Sequence, residues 1–151
     1  MKLKKLTFCA VLTAAALVTF VLESQIPPLT AVPGVKLGLA NVFTLFALET
    51  LGAGWALALL LVRVLLGSIV TGQMTALIYS LSGGLAAFAG MLLLKKPLCG
   101  SKLWVRSVFC AMLHNVGQLA AASAVMATNA IWYYLPALLL AAILTGGFTG
   151  L

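Results

Sequence analysis

The sequence predicts an all-α fold: a bundle of six membrane-crossing helices forming one integral membrane domain over residues 1–151. Three observations lead there. Hydrophobic residues make up 64% of the 151 positions. Charged residues are scarce, with nine Lys or Arg and two Asp or Glu. Gly, Pro and charged clusters divide the apolar sequence into six runs, each near the ~20 residues needed to cross hydrocarbon. A soluble domain has about a quarter of its residues charged, and a disordered chain has low hydrophobicity. Both classes are excluded, and no stretch is left for a separate soluble domain.

The first span, residues 6–22, follows Lys2, Lys4 and Lys5. A basic cap before an apolar run also describes a signal peptide, but no small-x-small site follows, so the segment is expected to be retained. The connection over residues 23–35 is the longest. Pro27, Pro28, Pro33 and Gly34 make it semi-rigid, because proline fixes its own φ and biases the residue before it. Glu23, Gln25, Pro27, Pro28, Pro33 and Gly34 are therefore expected in an external loop, either a lid over a site that opens outward or a plain connector.

Spans two and three, residues 36–51 and 55–71, are short, so their ends are expected to reach the interface. Span four covers residues 75–94, and Gly83 and Ala87 give it a small-xxx-small pair that lets helices approach closely. Span five, residues 103–126, carries Arg106, Cys110, His114 and Gln118 at intervals of four, along one helical face. Span six covers residues 130–150.

Basic islands between apolar runs are the product of the positive-inside rule rather than of phosphate binding, so nucleic acid is not an expected partner. The rule puts both termini and the 95–102 loop in the cytosol. The connections 23–35, 72–74 and 127–129, which carry no Lys or Arg, then fall outside. Lys36 and Arg63 do not follow the rule. Arg63 falls near mid-membrane, where Arg costs about 2.5–3.5 kcal/mol on insertion scales, and such residues usually face a bundle interior and mark a functional path.

By rise per residue, Asn41, Arg63, His114 and Gln118 share the outer half of the bundle. Lys36, Asn41, Arg63, His114, Asn115 and Gln118 are the candidate substrate-binding residues. For each of the fifth-span groups, interhelical hydrogen bonding is an equal alternative. Lys36 and Arg63 favour an anionic ligand, and His114 is a candidate pH-responsive group.

No P-loop motif is present. The two carboxylates, Glu23 and Glu49, are expected at opposite faces, too far apart to share a Mg²⁺-diphosphate site. Neither catalytic residues, nor a metal site, nor a cofactor is expected. Cys9, Cys99 and Cys110 lack paired spacing and are read as reduced, packed thiols.

Several ordered pieces carry a resemblance: Val21-Leu22-Glu23-Ser24-Gln25-Ile26-Pro27-Pro28, Val32-Pro33-Gly34-Val35-Lys36-Leu37-Gly38-Leu39-Ala40-Asn41, Leu65-Leu66-Gly67-Ser68, Tyr79-Ser80-Leu81-Ser82-Gly83-Gly84 and His114-Asn115-Val116-Gly117-Gln118. Together they resemble the Gx transporter family, whose members are often labelled heptaprenyl diphosphate synthase component I. More broadly, the chain resembles a substrate-binding S component of an energy-coupling factor (ECF) transporter. That resemblance implies a multi-pass protein of the bacterial cell membrane. It would hold a small vitamin- or cofactor-like molecule in its outer half and work with a transmembrane coupling subunit and separate ATPases. It also makes Ala10 and Ala14 in the first span candidates for docking the coupling subunit. Two rivals stand beside it: a non-catalytic membrane subunit of prenyl diphosphate or quinone synthesis, and a membrane partner of flavin- or quinone-linked electron transfer.

Overall fold

The computed structural model describes residues 2–25, 35–95, 97 and 103–150. Within them the chain forms α1 (Lys2–Gln25), α2 (Asn41–Thr50), α3 (Ala53–Thr71), α4 (Met74–Leu93), α5 (Leu103–Met126), a 3₁₀ turn (Ala130–Tyr134) and α6 (Leu135–Gly150). Five stretches are long and apolar enough to cross a bilayer: α1, α3, α4, α5 and the 3₁₀ turn taken together with α6. Ile69, Leu144 and Phe148 are 69%, 74% and 84% exposed. In water such a surface would be a liability; against lipid it is what a membrane protein presents.

The expected second span is corrected. Its helix, α2, has ten residues, a rise of about 15 Å. Residues 35–40 ahead of it are not helical. Gly38 sits there at φ +79, a left-handed conformation that side chains with a Cβ resist. The segment is nonetheless inside the protein, with Val35, Lys36 and Ala40 all buried. Irregular backbone at membrane depth is tolerated only when protein covers it and satisfies its polar groups. Two side chains do so here: Lys36 N–H donates to Gln118 Oε1 at 2.9 Å, and Gly38 N–H donates to Glu23 Oε1 at 2.6 Å.

Close packing between α4 and α5 makes the scaffold for these contacts. A Cβ on Gly117 would stand 3.0 Å from Gly83 Cα and 2.9 Å from Ala86 Cβ. The Gly83–Ala87 pair thus faces a neighbouring helix within the bundle. Ser82 Oγ donates across the same seam to Gly117 O at 2.8 Å. On the other side of α5, Ser107 Oγ and Thr149 Oγ1 of α6 lie 3.0 Å apart. Buried Ala16, Leu48, Leu60, Ala87 and Met91 belong to the apolar core between α1, α2, α3 and α4.

The bundle has two chemically different ends. Phe8 of α1 stacks near Phe46 of α2, with centroids 6.3 Å apart, and Cys9 Sγ contacts Trp55 O at the start of α3. Glu49 near the end of α2 pairs with Arg106 of α5 and with Lys95 beyond α4, the latter at 3.9 Å. A Cβ on Gly150 would meet Trp104. Lys4, Lys5, Lys95 and Arg106, together with both ends of the described chain, therefore gather at one end. The opposite end holds Gln25, Gly72 and the turn after α5, and the described cations in that half, Lys36 and Arg63, are buried inside the bundle. Trp104 and Tyr133 are exposed near the two ends of α5, as expected of aromatic anchors at two membrane interfaces. Cys9 and Cys110 are free and buried; Cys99 lies outside the described residues.

Candidate functional site

The polar positions expected to converge come together with one exception, and two further polar residues join them. Lys36, Arg63, His114 and Gln118 line a single cavity together with Phe20, Glu23, Gly38 and Ser80. Asn41 stands behind Arg63 and accepts a hydrogen bond from its Nη2 at 3.0 Å through Oδ1. The cavity holds about 200 Å³ of atom-free space. It lies in the half of the bundle where α1, α3 and α5 end. His114 is ten residues beyond Trp104, a rise of about 15 Å, which places it near mid-depth.

A chain of hydrogen bonds orders the floor. Lys36 N–H can only donate, so the Gln118 atom facing it is the carbonyl oxygen. That leaves the Gln118 amide nitrogen facing His114 Nε2, at 2.6 Å. His114 Nε2 therefore accepts, and the ring carries its proton on Nδ1. Nδ1 faces the α4 backbone, where a Cβ on Gly83 would stand 2.9 Å away. Gly38 covers the other side of the ring, and a Cβ there would come within 2.5 Å of His114 Cδ2. The imidazole is clamped between two glycines.

The walls carry charge. Lys36 Nζ rests 3.5 Å from the Phe20 ring centroid, a cation–π contact that partly offsets its burial. Lys36 Nζ, Arg63 Nε and Ser80 Oγ are buried without a hydrogen-bond partner. Arg63 and Ser80 are 2% and 3% exposed, so neither group has water as a ready substitute. Buried polar groups are normally paired, and an unpaired one costs about 1–3 kcal/mol. The cavity thus presents an excess of donors and is suited to an acceptor-rich ligand.

Asn115 is the exception. It is fully buried, but its Nδ2 donates to Leu138 O of α6 at 2.8 Å, so it ties α5 to α6 and does not face the cavity. Glu23 and Ser80 are the additions. Instead of opening an external loop, Glu23 and Gln25 belong to α1, which continues through Gln25. Glu23 turns inward and is 5% exposed, whereas Gln25 is exposed. Pro27, Pro28, Pro33 and Gly34, expected in the lid, lie outside the described residues. Ala10 and Ala14 are both exposed on α1. Ser80 was not among the expected site residues; its signal was its place in the Tyr79-Ser80-Leu81-Ser82-Gly83-Gly84 piece.

A second hollow, of about 300 Å³, adjoins the first at Gly38 and extends between α2, α4, α5 and α6. Leu39, Val42, Leu45, Met91 and Ala111 give it a largely apolar lining.

Five membrane-length helices among the described residues, four of them lining a buried polar cavity, define a helical, multi-pass membrane protein. A family model described as heptaprenyl diphosphate synthase component I matches residues 12–151. The chain belongs to that family. No curated protein and no solved structure gives a significant match.

Proposed function

We propose that the chain is the membrane-embedded binding subunit of an ECF-type transporter. It takes a small anionic molecule, of the size and kind of a vitamin or cofactor fragment, from the outside of the cell membrane. The observation that carries this reading is the set of unpartnered buried donors, Lys36 Nζ, Arg63 Nε and Ser80 Oγ, around one cavity. Structural glue accounts for Gln118, Asn41 Oδ1 and Asn115 Nδ2, which have protein partners. It does not account for donors left open. Interrupted helical structure beside a mid-depth site also fits, since transporters commonly build sites from broken helices. In this reading the cytosolic side is the basic end, and the exposed Ala10 and Ala14 meet the coupling subunit, whose ATPase partners supply the energy. The role is one of binding, without catalysis.

The family's description favours a second reading, a non-catalytic membrane subunit of heptaprenyl diphosphate synthesis. In that case a soluble partner has to supply the metal-binding carboxylates, because Glu49 is engaged with Arg106 and Lys95, at the other end from Glu23. Mild purification from native membranes separates the two. Co-purifying ATPases and a coupling subunit, with a small anion identified by mass spectrometry, support transport. A prenyl synthase in their place supports the second reading and sinks the first.

A further inference from the structure

The charge of the ligand can be deduced from the charges around the cavity; the deduction rests on the binding role proposed above. Lys36, Arg63 and Glu23 are the charged groups in its lining. Glu23 and Glu49 are the only acidic side chains in the sequence, and Glu49 is held by Arg106 and Lys95 at the far end. No second carboxylate side chain of this protein is placed to balance the site. His114 adds no charge while its Nε2 accepts from Gln118. Two cations against one carboxylate leave an excess of one positive charge, deep in a low-dielectric bundle where an unbalanced charge is costly. Neither Lys36 nor Arg63 forms an ion pair with Glu23, since the ion pairs among the described residues are those of Glu49. Both cations are therefore free to face a ligand.

We propose that the cavity binds a compact monocarboxylate, and that Glu23 is the specificity-determining residue that limits the ligand to one negative charge. A carboxylate offers about four lone-pair sites, enough for Lys36 Nζ, Arg63 Nε and Ser80 Oγ together. A phosphate monoester carries up to about one negative charge more near neutral pH, a diphosphate more still, and that charge would stand against the buried Glu23 carboxylate. A neutral ligand would leave the excess cation unbalanced. The hollow is small, about 200 Å³ of atom-free space including what opens to solvent, which is why the ligand is compact.

The test uses the full chain in lipid nanodiscs and three probes of similar shape: benzoate, phthalate and benzamide, with ionic strength held constant by sodium chloride. Wild-type protein is expected to bind benzoate about tenfold or more tightly than either of the others. Glu23→Gln keeps an acceptor for Gly38 N–H and removes the charge, so the preference should move to phthalate. Lys36→Met keeps the backbone bond to Gln118, and benzoate should lose its advantage over benzamide. Wild-type preference for phthalate or benzamide, binding of none of the three, or an unchanged ratio in Glu23→Gln would overturn the proposal. If Glu23→Gln does not fold, the wild-type and Lys36→Met ratios still decide the ligand's charge. The molecule recovered with native protein tells the two failures apart. A dianion or diphosphate overturns the monocarboxylate inference and leaves the binding role standing, whereas an empty protein without transporter partners removes that role too.

Discussion

Gln118 and His114, one helical turn apart on α5, meet through their side-chain nitrogens at 2.6 Å. Because Gln118 Oε1 is occupied by Lys36 N–H, the amide orientation is fixed and the imidazole tautomer follows. Both groups also hold the irregular backbone of residues 35–40 in place. Replacing Gln118 by Leu strands Lys36 N–H and His114 Nε2 together. Two stranded buried groups cost about 2–6 kcal/mol, so the variant's thermal midpoint should fall by several degrees or more. In the ¹⁵N spectrum of labelled wild type, His114 should show a protonated Nδ1 and a bare Nε2; the reverse assignment refutes the hydrogen-bond chain.

Gly38→Ala faces two penalties at once, a φ of +79 and a Cβ 2.5 Å from the His114 ring. The left-handed backbone alone costs about 1–2 kcal/mol, and the ring cannot retreat because Gly83 backs it. Loss of stability together with loss of ligand binding is expected, read by thermal unfolding and by titration of the bound anion. Full binding in Gly38→Ala would show that the segment is not part of the site.

Anion binding should depend on the charge of Lys36. Lys36→Arg keeps a cation beside the Phe20 ring and should retain most of the affinity, whereas Lys36→Gln removes the charge and should weaken binding about tenfold or more. Titration of both variants with a monocarboxylate checks this. Equal affinities in wild type and Lys36→Gln contradict the assignment.

At the opposite end, Arg106 is 1% exposed and bonds to Glu49. Glu49→Gln leaves this guanidinium with a weaker, uncharged acceptor. Glu49 is about one-third exposed, so screening reduces the cost to about 1–2 kcal/mol. Anion binding should be unaffected, because the site lies at the other end. Equal losses of stability and binding would mean that the two ends are coupled.

Much of this site was legible in the sequence because burying Lys, Arg, His, Asn and Gln in hydrocarbon is expensive, and depth follows from counting residues along a helix. Asn41, Arg63, His114 and Gln118 were read that way, and Lys36 from its departure from the positive-inside rule. Rotation about the helix axis was not legible. His114 and Asn115 are neighbours in sequence, yet one faces the cavity and the other faces Leu138 of α6. Glu23 was misplaced because Pro27 and Pro28 signalled a loop, whereas the helix runs on to Gln25 and turns the carboxylate inward. The second span was misread for a different reason. Leu37, Leu39 and Ala40 are as apolar in an irregular strand as in a helix, and only Gly38 hinted at the left-handed turn that keeps residues 35–40 from coiling.

The uncoiled stretch before α2 also fixes how a guest can arrive. Its peptide groups cannot be bared to lipid tails, so a sideways door beside residues 35–40 is barred by the same desolvation that keeps them covered. On the binding role proposed above, admission is expected from the aqueous rim where α1 ends. Spin labels placed around that rim, rather than along the lipid-facing flank, are where opening and closing would register.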